Sequence, residues 1–392
     1  MTEIHAGTDG RIQLPPEALS NGGLQPGERL VCERDERGLR LHYARPDARK
    51  LYLEVTTACN LSCAMCIRHA WQDPVQSMSA GTFERVLDGL RAFPDLRRVV
   101  IAGYGEPLVH PRLADMAAQL RDLGAGVTLV TNGLLLDRAR AQALLDAGID
   151  TLVVSLDSLH VQAYEQAGVD GGLDRVLENL HGLSGLIRRG GFKKPALGLE
   201  FVAARSNLPE LERLPDLARQ VGASFVIVNN LLPHTPEMAG EILYDRDEPL
   251  RLGGGWGLHR GGWIAWGHPK LPRMKWGAGR KCPFVNDLSL TIGWDGEVSP
   301  CTALMHTYRY YLYGRVKDVA RYTLGSVHEQ PLVDVWTSDE YVTFRGRVHD
   351  FRFPSCVECG MDCTYAQENI DCFGNEPSCA DCLWAQRILN CP

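Results

Sequence analysis

Three cysteines in one short segment constrain this chain more than any other feature. Cys59, Cys63 and Cys66 are separated by three and two residues, and they follow the apolar run Leu51–Val55. The run predicts a strand, and the cysteines then lie on the loop that leaves it. Three thiolates can hold three irons of a [4Fe–4S] cube and leave the fourth iron open to another ligand. The alternatives are three ordinary buried cysteines, or a zinc site that lacks one ligand.

Composition indicates an ordinary globular protein of two to three domains. The chain has 392 residues, of which 45% are hydrophobic and 23% charged, so it can bury a sizeable core. Its net charge of −7 argues against a general nucleic-acid binder. No apolar run approaches the length of a membrane span. Because the first residues lack the charged-then-apolar pattern of an export signal, we predict a cytoplasmic protein.

Cysteine usage is the exception to this ordinary composition. The chain has 13 cysteines, and most of them lie between Cys282 and Cys391. In a large chain without an export signal, clustered cysteines favour metal ligands over disulfides.

Residues 49–235 alternate strand patterns with helix patterns. The predicted strands are Leu51–Val55, Arg98–Ala102, Gly126–Val130, Thr151–Ser155, Leu197–Val202 and Ser224–Val228. Helix patterns lie between these strands, including one over Pro209–Val221. Strands that alternate with helices predict parallel βαβ units, and therefore an α/β fold. In such architectures the functional site lies at the carboxyl ends of the strands.

The spacing C-x3-C-x2-C after a first strand resembles the radical S-adenosylmethionine (SAM) superfamily. This resemblance implies a partial (β/α)6 barrel over residues 49–235. It also implies that Cys59, Cys63 and Cys66 hold a [4Fe–4S] cluster whose open iron binds SAM. One electron then cleaves SAM to a 5′-deoxyadenosyl radical, and the protein positions the cofactor for this chemistry.

Further residues of the implied SAM site follow the second strand. Gly103, Gly105 and Glu106 lie in the segment Ala102–Pro107, which resembles the Gly-Gly-Glu motif of the superfamily. There backbone carbonyls accept hydrogen bonds from the SAM ammonium, so glycine is needed for close approach. The alternative is a simple turn between strand and helix.

Later strand ends supply four more candidates. Asn132 ends the third strand, and Ser155 and Asp157 end the fourth; the resemblance implies contacts of this edge with SAM. Arg205 follows the fifth strand and could pair with the SAM carboxylate. The alternatives are helix caps for Asn132, Ser155 and Asp157, and a solvated surface charge for Arg205.

Residues 236–281 form a glycine- and tryptophan-rich segment. Half of the chain's eight tryptophans lie between Trp256 and Trp276. Such a segment can act as a lid over a large planar substrate or as a wedge between two domains.

Residues 282–392 hold the remaining candidate metal ligands. The segment 288–301 predicts a β-hairpin that turns at Asp295–Gly296, with a cysteine before and after it. The pattern resembles the SPASM extension of radical SAM enzymes, which holds auxiliary clusters, although the later spacings depart from that family and one cysteine is surplus. One or two auxiliary [4Fe–4S] clusters are thereby implied, with zinc as an alternative. The implied ligands are Cys282, Cys301, Cys356, Cys359, Cys363, Cys372, Cys379, Cys382 and Cys391.

Residues 1–48 form a small unit. The segment that starts at Gly10 predicts a short strand running into a proline-started helix, and a hairpin is predicted around Asp35–Gly38. The unit resembles the swapped-hairpin family of transition-state regulators, which are usually DNA-binding dimers. Because its charges balance, we favour a docking or dimerisation element, and so a possible homodimer, over a DNA reader.

The segment Cys66–Trp71 and the cysteine-containing tail Glu368–Pro392 make the comparison more specific. With the hairpin unit in front, the whole chain resembles the radical SAM maturases associated with tungsten-containing aldehyde ferredoxin oxidoreductases. This implies action on a tungsten-containing oxidoreductase or its pterin cofactor, with an electron donor such as ferredoxin or flavodoxin. A maturase that crosslinks a ribosomal peptide substrate and an iron–sulfur electron carrier are the alternatives. We expect neither a nucleic-acid partner nor a membrane partner.

Overall fold

Two antiparallel strands, β1 (Leu30–Asp35) and β2 (Gly38–Tyr43), form the predicted hairpin near the start of the chain. They belong to a computed structural model that describes residues 8, 23–25, 27–35, 38–71, 73–156, 158–159, 161–191, 194–244, 263–264, 279–359 and 367–391. The predicted strand and helix before residue 22 and most of the tryptophan-rich segment lie outside these residues.

Six parallel strands form the centre of a ten-stranded sheet, and sequence neighbours are also neighbours in space. The six are β3 (Lys50–Leu53), β4 (Arg98–Ile101), β5 (Gly126–Thr131), β6 (Thr151–Ser155), β7 (Ala196–Ala203) and β8 (Phe225–Asn230). The helices between them are α1 (Ala80–Leu90), α2 (Leu113–Asp122), α3 (Arg138–Asp146), α4 (Val161–Gln166), α5 (Gly172–Gly190) and α6 (Leu214–Val221). The predicted α/β fold, a partial (β/α)6 barrel, is confirmed.

Local signals explain where two of these helices, α1 and α6, begin. Ser79 caps α1, because its hydroxyl accepts a hydrogen bond from the Thr82 amide at 3.0 Å. The predicted helix over 209–221 is shorter, since Leu208–Glu212 forms a 3-10 turn and α6 begins at Leu214 with a proline in its first turn. The turn places Glu210 inward, where its carboxylate accepts hydrogen bonds from Ser158 and Leu159.

The cysteine-rich C-terminal region adds strands to the barrel sheet at its first edge, which β3 forms. Strand β9 (Trp263–Ile264) pairs antiparallel with β8 at the opposite edge. At the first edge, β10 (Ser289–Ile292) pairs in parallel with β3, and β11 (Glu297–Ser299) returns antiparallel to β10. Gly296 makes this turn with a φ of +85°, in the left-handed region that favours glycine. The predicted hairpin between Cys282 and Cys301 is therefore present.

The remaining elements complete the C-terminal region. In chain order they are β12 (Tyr308–Leu312), β13 (Arg315–Val319) and β14 (Gly325–Ser326), with helices α7 (Pro283–Asn286), α8 (Leu332–Trp336) and α9 (Asp339–His349). Strand β14 pairs with β11, whereas β12 and β13 form a separate hairpin. None of the helices in the described ranges is long and apolar enough to cross a membrane.

Two hydrophobic cores lie on the two faces of the barrel sheet. The larger core joins one face to the helices, with Leu51, Leu53, Val99 and Ile101 on the sheet side. The alternate residues Tyr52 and Val100 pack instead against residues of the C-terminal region. Because side chains alternate across a strand, the C-terminal region covers the inner face of the barrel.

The N-terminal hairpin packs against α9 of its own chain. Arg352 donates two hydrogen bonds to the Glu33 carboxylate, at 2.9 and 2.7 Å, and His42 lies 2.8 Å from the same carboxylate. Gly346 allows this approach, because an added Cβ there would overlap the His42 ring. Intramolecular docking is thus present in the described part of the hairpin.

Trp336 connects the segment that follows the N-terminal hairpin to the hydrophobic core. It is 0% exposed, and its indole nitrogen donates to the Arg45 carbonyl at 2.8 Å. We expect Trp336→Ala to lower the free energy of unfolding by about 3–5 kcal/mol through cavity formation and a lost hydrogen bond. Urea unfolding of the reconstituted protein measures this effect. The control Leu39→Ala alters a side chain that is 57% exposed, and an equal effect of the two substitutions would contradict the prediction.

Candidate active site

The loop with Cys59, Cys63 and Cys66 leaves the carboxyl end of β3, and all three residues are partly buried. The Cys66 amide donates to the Cys63 carbonyl at 3.0 Å, and the Leu61 amide lies 3.4 Å from the Cys59 sulfur. Burial raises the pKa of the Cys59 thiol, which the Leu61 amide partly offsets. No disulfide joins the cysteines of the described residues.

The loop Gly103–Glu106, called the glycine loop below, lies against the backbone that leads into the cysteine loop. An added Cβ at Gly105 would overlap the carbonyl oxygens of Thr56 and Ala58. The Glu106 amide donates to the Ala58 carbonyl at 2.8 Å. Glycine at position 105 is therefore a steric requirement of this contact.

The Glu106 carboxylate joins the ends of β4 and β5. It accepts hydrogen bonds from the Thr131 hydroxyl at 2.7 Å, the Asn132 amide at 2.7 Å and the Leu108 amide at 2.9 Å. The side chain is buried, and burial raises its pKa although these donors act in the opposite direction. The carboxylate thus fixes the edge of the sheet next to the cysteine loop.

Asn132 connects that edge to the cysteines. Its side-chain amide donates to the Asn60 side chain at 2.9 Å and lies 3.9 Å from the Cys59 sulfur. The structure therefore brings Gly105, Glu106 and Asn132 together with Cys59, as strand-end positions predict.

The other candidates of the barrel are less closely connected to this group. Ser155 ends β6, is half-buried and is paired with Glu200 of β7. The Arg205 side chain is exposed, and its backbone amide donates to the Glu241 carbonyl at 2.9 Å. Asp157 lies outside the described residues.

The cysteines of the C-terminal region fall into groups. The Cys301 thiol is buried and its pKa is raised well above its usual value, first by burial and then by the nearby Cys282, Cys382 and Cys379. The same causes raise the pKa of Cys282 to about 12, with Cys382 as the neighbour. These four thiols therefore occupy one region beside the hairpin of β10 and β11.

Cys356 belongs to a second region. Burial raises its pKa to about 11, and nearby Asp381 and Cys372 add to this while Lys317 opposes it. Lys317 and Asp381 form a buried ion pair. Cys359 lies three residues after Cys356, and its amide donates to the Ser355 carbonyl at 2.9 Å. Cys363 lies outside the described residues. The Cys391 sulfur accepts a hydrogen bond from the Trp384 indole at 3.3 Å.

The donor set of these regions fits iron–sulfur clusters, because thiolates are the ligands that such clusters require. Within the described ranges, no three His, Cys, Asp or Glu side chains form a group that could hold one metal ion.

The carboxyl-terminal segment covers the barrel next to these thiols. The Asn229 side chain exchanges hydrogen bonds with the backbone of Asn390, at 3.0 and 2.8 Å. Asn230 donates to the Ile388 carbonyl at 3.1 Å. Both asparagines end β8, so the tail is attached at the carboxyl edge of the sheet, where the cysteine loop also begins.

Sequence reasoning missed a buried polar group beside the glycine loop. Glu54 is 1% exposed, and its carboxylate contacts the Tyr104 amide at 2.9 Å and the His306 ring at 2.9 Å. His306 also lies 2.6 Å from Asp73. The available signal was a charged residue inside the apolar run Leu51–Val55.

Comparison with known proteins assigns these features to families. Residues 53–192 match the radical SAM superfamily, and residues 282–364 match the SPASM family, described as an iron–sulfur cluster-binding domain. A probable GTP 3′,8-cyclase of Methanococcus maripaludis is 30% identical over 194 residues, which are 49% of this chain and 62% of that protein.

A similarity of fold extends over both regions. The structure of Streptococcus suis SuiB bound to precursor peptide SuiA matches with a TM-score of 0.53 and 17% sequence identity, over 81% of this chain and 70% of that one. At this identity the match shows a shared fold.

One relative is similar over nearly its full length. The tungsten-containing aldehyde ferredoxin oxidoreductase cofactor-modifying protein of Pyrococcus furiosus is 36% identical over 353 residues, which are 87% of this chain and 96% of the relative. With the cysteine loop, the glycine loop and the C-terminal thiols in place, this chain is a radical SAM enzyme with a SPASM domain and belongs to the family of that cofactor-modifying protein.

Proposed function

We propose that this enzyme reductively cleaves SAM and uses the resulting radical to mature a tungsten–pterin oxidoreductase or its cofactor. The convergence of Cys59, Gly105, Glu106 and Asn132 at one edge of the barrel is the observation that carries SAM cleavage. The maturation role is supported by the 36% identity to the cofactor-modifying protein over 96% of that relative.

Cys59, Cys63 and Cys66 would hold the SAM-binding [4Fe–4S] cluster, which supplies the electron for cleavage when it is bound. The backbone of the loop with Gly103 and Gly105 would contact SAM. The two glycines let this loop lie directly against Glu54 and Thr56, and the Glu106 carboxylate attaches the loop to β5. Asn132 would orient the cysteine loop at Cys59, because its side-chain amide lies next to the Cys59 sulfur. Ser155, Asp157 and Arg205 complete the proposed SAM site.

The C-terminal thiols would hold auxiliary clusters. The proximity of Cys282, Cys301, Cys379 and Cys382 supports one four-thiolate set. Cys356, Cys359, Cys363 and Cys372 would form a second set, with Cys391 as the surplus thiol. We further propose a ferredoxin or flavodoxin as the electron donor, and a homodimer through the N-terminal hairpin.

The first prediction separates the two kinds of cluster. We expect Cys59→Ala to abolish 5′-deoxyadenosine formation from SAM in the reduced, reconstituted protein, because the SAM-binding cluster loses one of its three thiolate ligands. Cys379→Ala should retain the uncoupled reaction, since it alters only an auxiliary ligand. Equal losses in both variants would contradict this division of roles.

The second prediction concerns the glycine loop. Gly105→Ala should displace the loop from Thr56 and Ala58 and raise the KM for SAM at least about tenfold, the effect of losing one good hydrogen bond. Gly182→Ala in α5 is the control, because an added Cβ there meets nothing within 4 Å. The prediction is wrong if the two variants bind SAM equally well.

The third prediction tests the substrate. Deoxyadenosine release should increase when a tungsten-dependent oxidoreductase that carries an unmodified cofactor, or the isolated pterin, is added to the reduced enzyme. Turnover without any stimulation would favour a peptide substrate instead. Absence of turnover in protein with a full iron content would favour the electron-carrier alternative.

A further inference from the structure

A histidine from the C-terminal region reaches into the barrel next to the glycine loop. His306 follows β11, and its Nε2 lies 2.9 Å from a Glu54 carboxylate oxygen. Its Nδ1 lies 2.6 Å from a carboxylate oxygen of Asp73, which belongs to the segment after the cluster cysteines. The side chains of His306 and Glu54 are 3% and 1% exposed. Three distant segments of the chain therefore meet at this ring.

Both ring nitrogens of His306 have a carboxylate as their partner, Glu54 at Nε2 and Asp73 at Nδ1. Hydrogen bonds to carboxylates are among the stronger ones in proteins. The edge-on contact between the His306 and Trp71 rings, with centroids 3.8 Å apart, restricts the ring further.

Glu54 connects the His306 ring to the glycine loop. Its second carboxylate oxygen accepts a hydrogen bond from the Tyr104 amide at 2.9 Å. An added Cβ at Gly103 would overlap the Glu54 side chain, so the loop lies directly on this carboxylate. The position of the Glu54 side chain therefore determines how closely Gly103 and Tyr104 approach the strand end.

We propose that His306 is a positioning residue for SAM: through Glu54 it holds the loop Gly103–Glu106 in the conformation that binds SAM. The inference rests on the proposed function in one respect, namely that this loop contacts SAM. Its consequence is a direct connection from the auxiliary-cluster region to the SAM site. A C-terminal region that is correctly packed on the barrel is then a condition for tight SAM binding.

Two substitutions at His306 separate hydrogen bonding from packing. His306→Phe keeps an aromatic ring against Trp71 but removes both ring nitrogens, whereas His306→Gln keeps an amide donor for Glu54. His328→Phe is the matched control. His328 also connects the C-terminal region to the barrel, through the Thr82 hydroxyl at 3.3 Å, but it has no contact with the glycine loop among the described hydrogen bonds.

The measurements use the reconstituted, reduced holoenzyme with SAM alone. We expect His306→Phe to raise the KM for SAM in uncoupled deoxyadenosine formation about tenfold, with a smaller change in kcat. The SAM-induced change in the EPR spectrum of the reduced cluster should require a correspondingly higher SAM concentration. His306→Gln should restore most of the affinity, and His328→Phe should match the wild type.

Equal losses in His306→Phe and His306→Gln would overturn the proposal, because packing alone would then explain them. A wild-type KM in His306→Phe would overturn it as well. If His306→Phe assembles less iron than the wild type, Asp73→Asn provides the test, since it removes the charge that faces Nδ1 and leaves the ring in place. It should then raise the KM for SAM, and an unchanged KM would again contradict the proposal.

The same experiment distinguishes this inference from the proposed function. If the wild type binds SAM but releases no deoxyadenosine, only the proposed function fails, because the EPR titration still reports the effect of His306 on SAM binding. If the wild type does not bind SAM at all, both fail.

Discussion

The close approach of the glycine loop to the backbone after β3 is the contact on which the rest of the site depends. Gly103 rests on the Glu54 side chain and Gly105 on the Thr56 carbonyl, so neither position has space for a Cβ. This contact brings the end of β4 against the start of the cysteine loop. The buried Glu106 carboxylate then attaches β5 to the same point through Thr131 and Asn132. Neighbouring parallel strands thereby present their ends as one surface.

Burial of polar groups is the recurring energetic cost of this arrangement. Burial raises the pKa values of Glu106 and of the C-terminal thiols, and it lowers the pKa of Lys50 inside the barrel to about 8. Such costs are tolerated where a partner offsets them. Glu106 has three donors, Glu54 has His306 and the Tyr104 amide, and Lys317 pairs with Asp381 next to the cysteines.

The C-terminal region is part of the barrel architecture as well as a carrier of cysteines. Its strand β10 pairs with β3, its tail attaches to Asn229 and Asn230 at the end of β8, and His306 contacts Glu54 at the start of the cysteine loop. The region therefore contacts both edges of the six-stranded sheet. A radical enzyme must keep its reactive intermediate away from water, and a covered barrel interior serves that need.

Local sequence patterns were enough to predict the fold class and the thiol loop, because both depend on short-range information. Hydrophobic periodicity located the six parallel strands, and the spacing of Cys59, Cys63 and Cys66 indicated the cluster type. These patterns did not locate the boundary at Leu214, where a 3-10 turn replaces the predicted helix so that Glu210 can face inward. The folded chain was needed to see which thiols share a region. It was also needed to see that His306 meets Glu54 across a separation of 252 residues. Contacts of this kind depend on how distant segments pack and on which charges lose their water, and no local pattern encodes either.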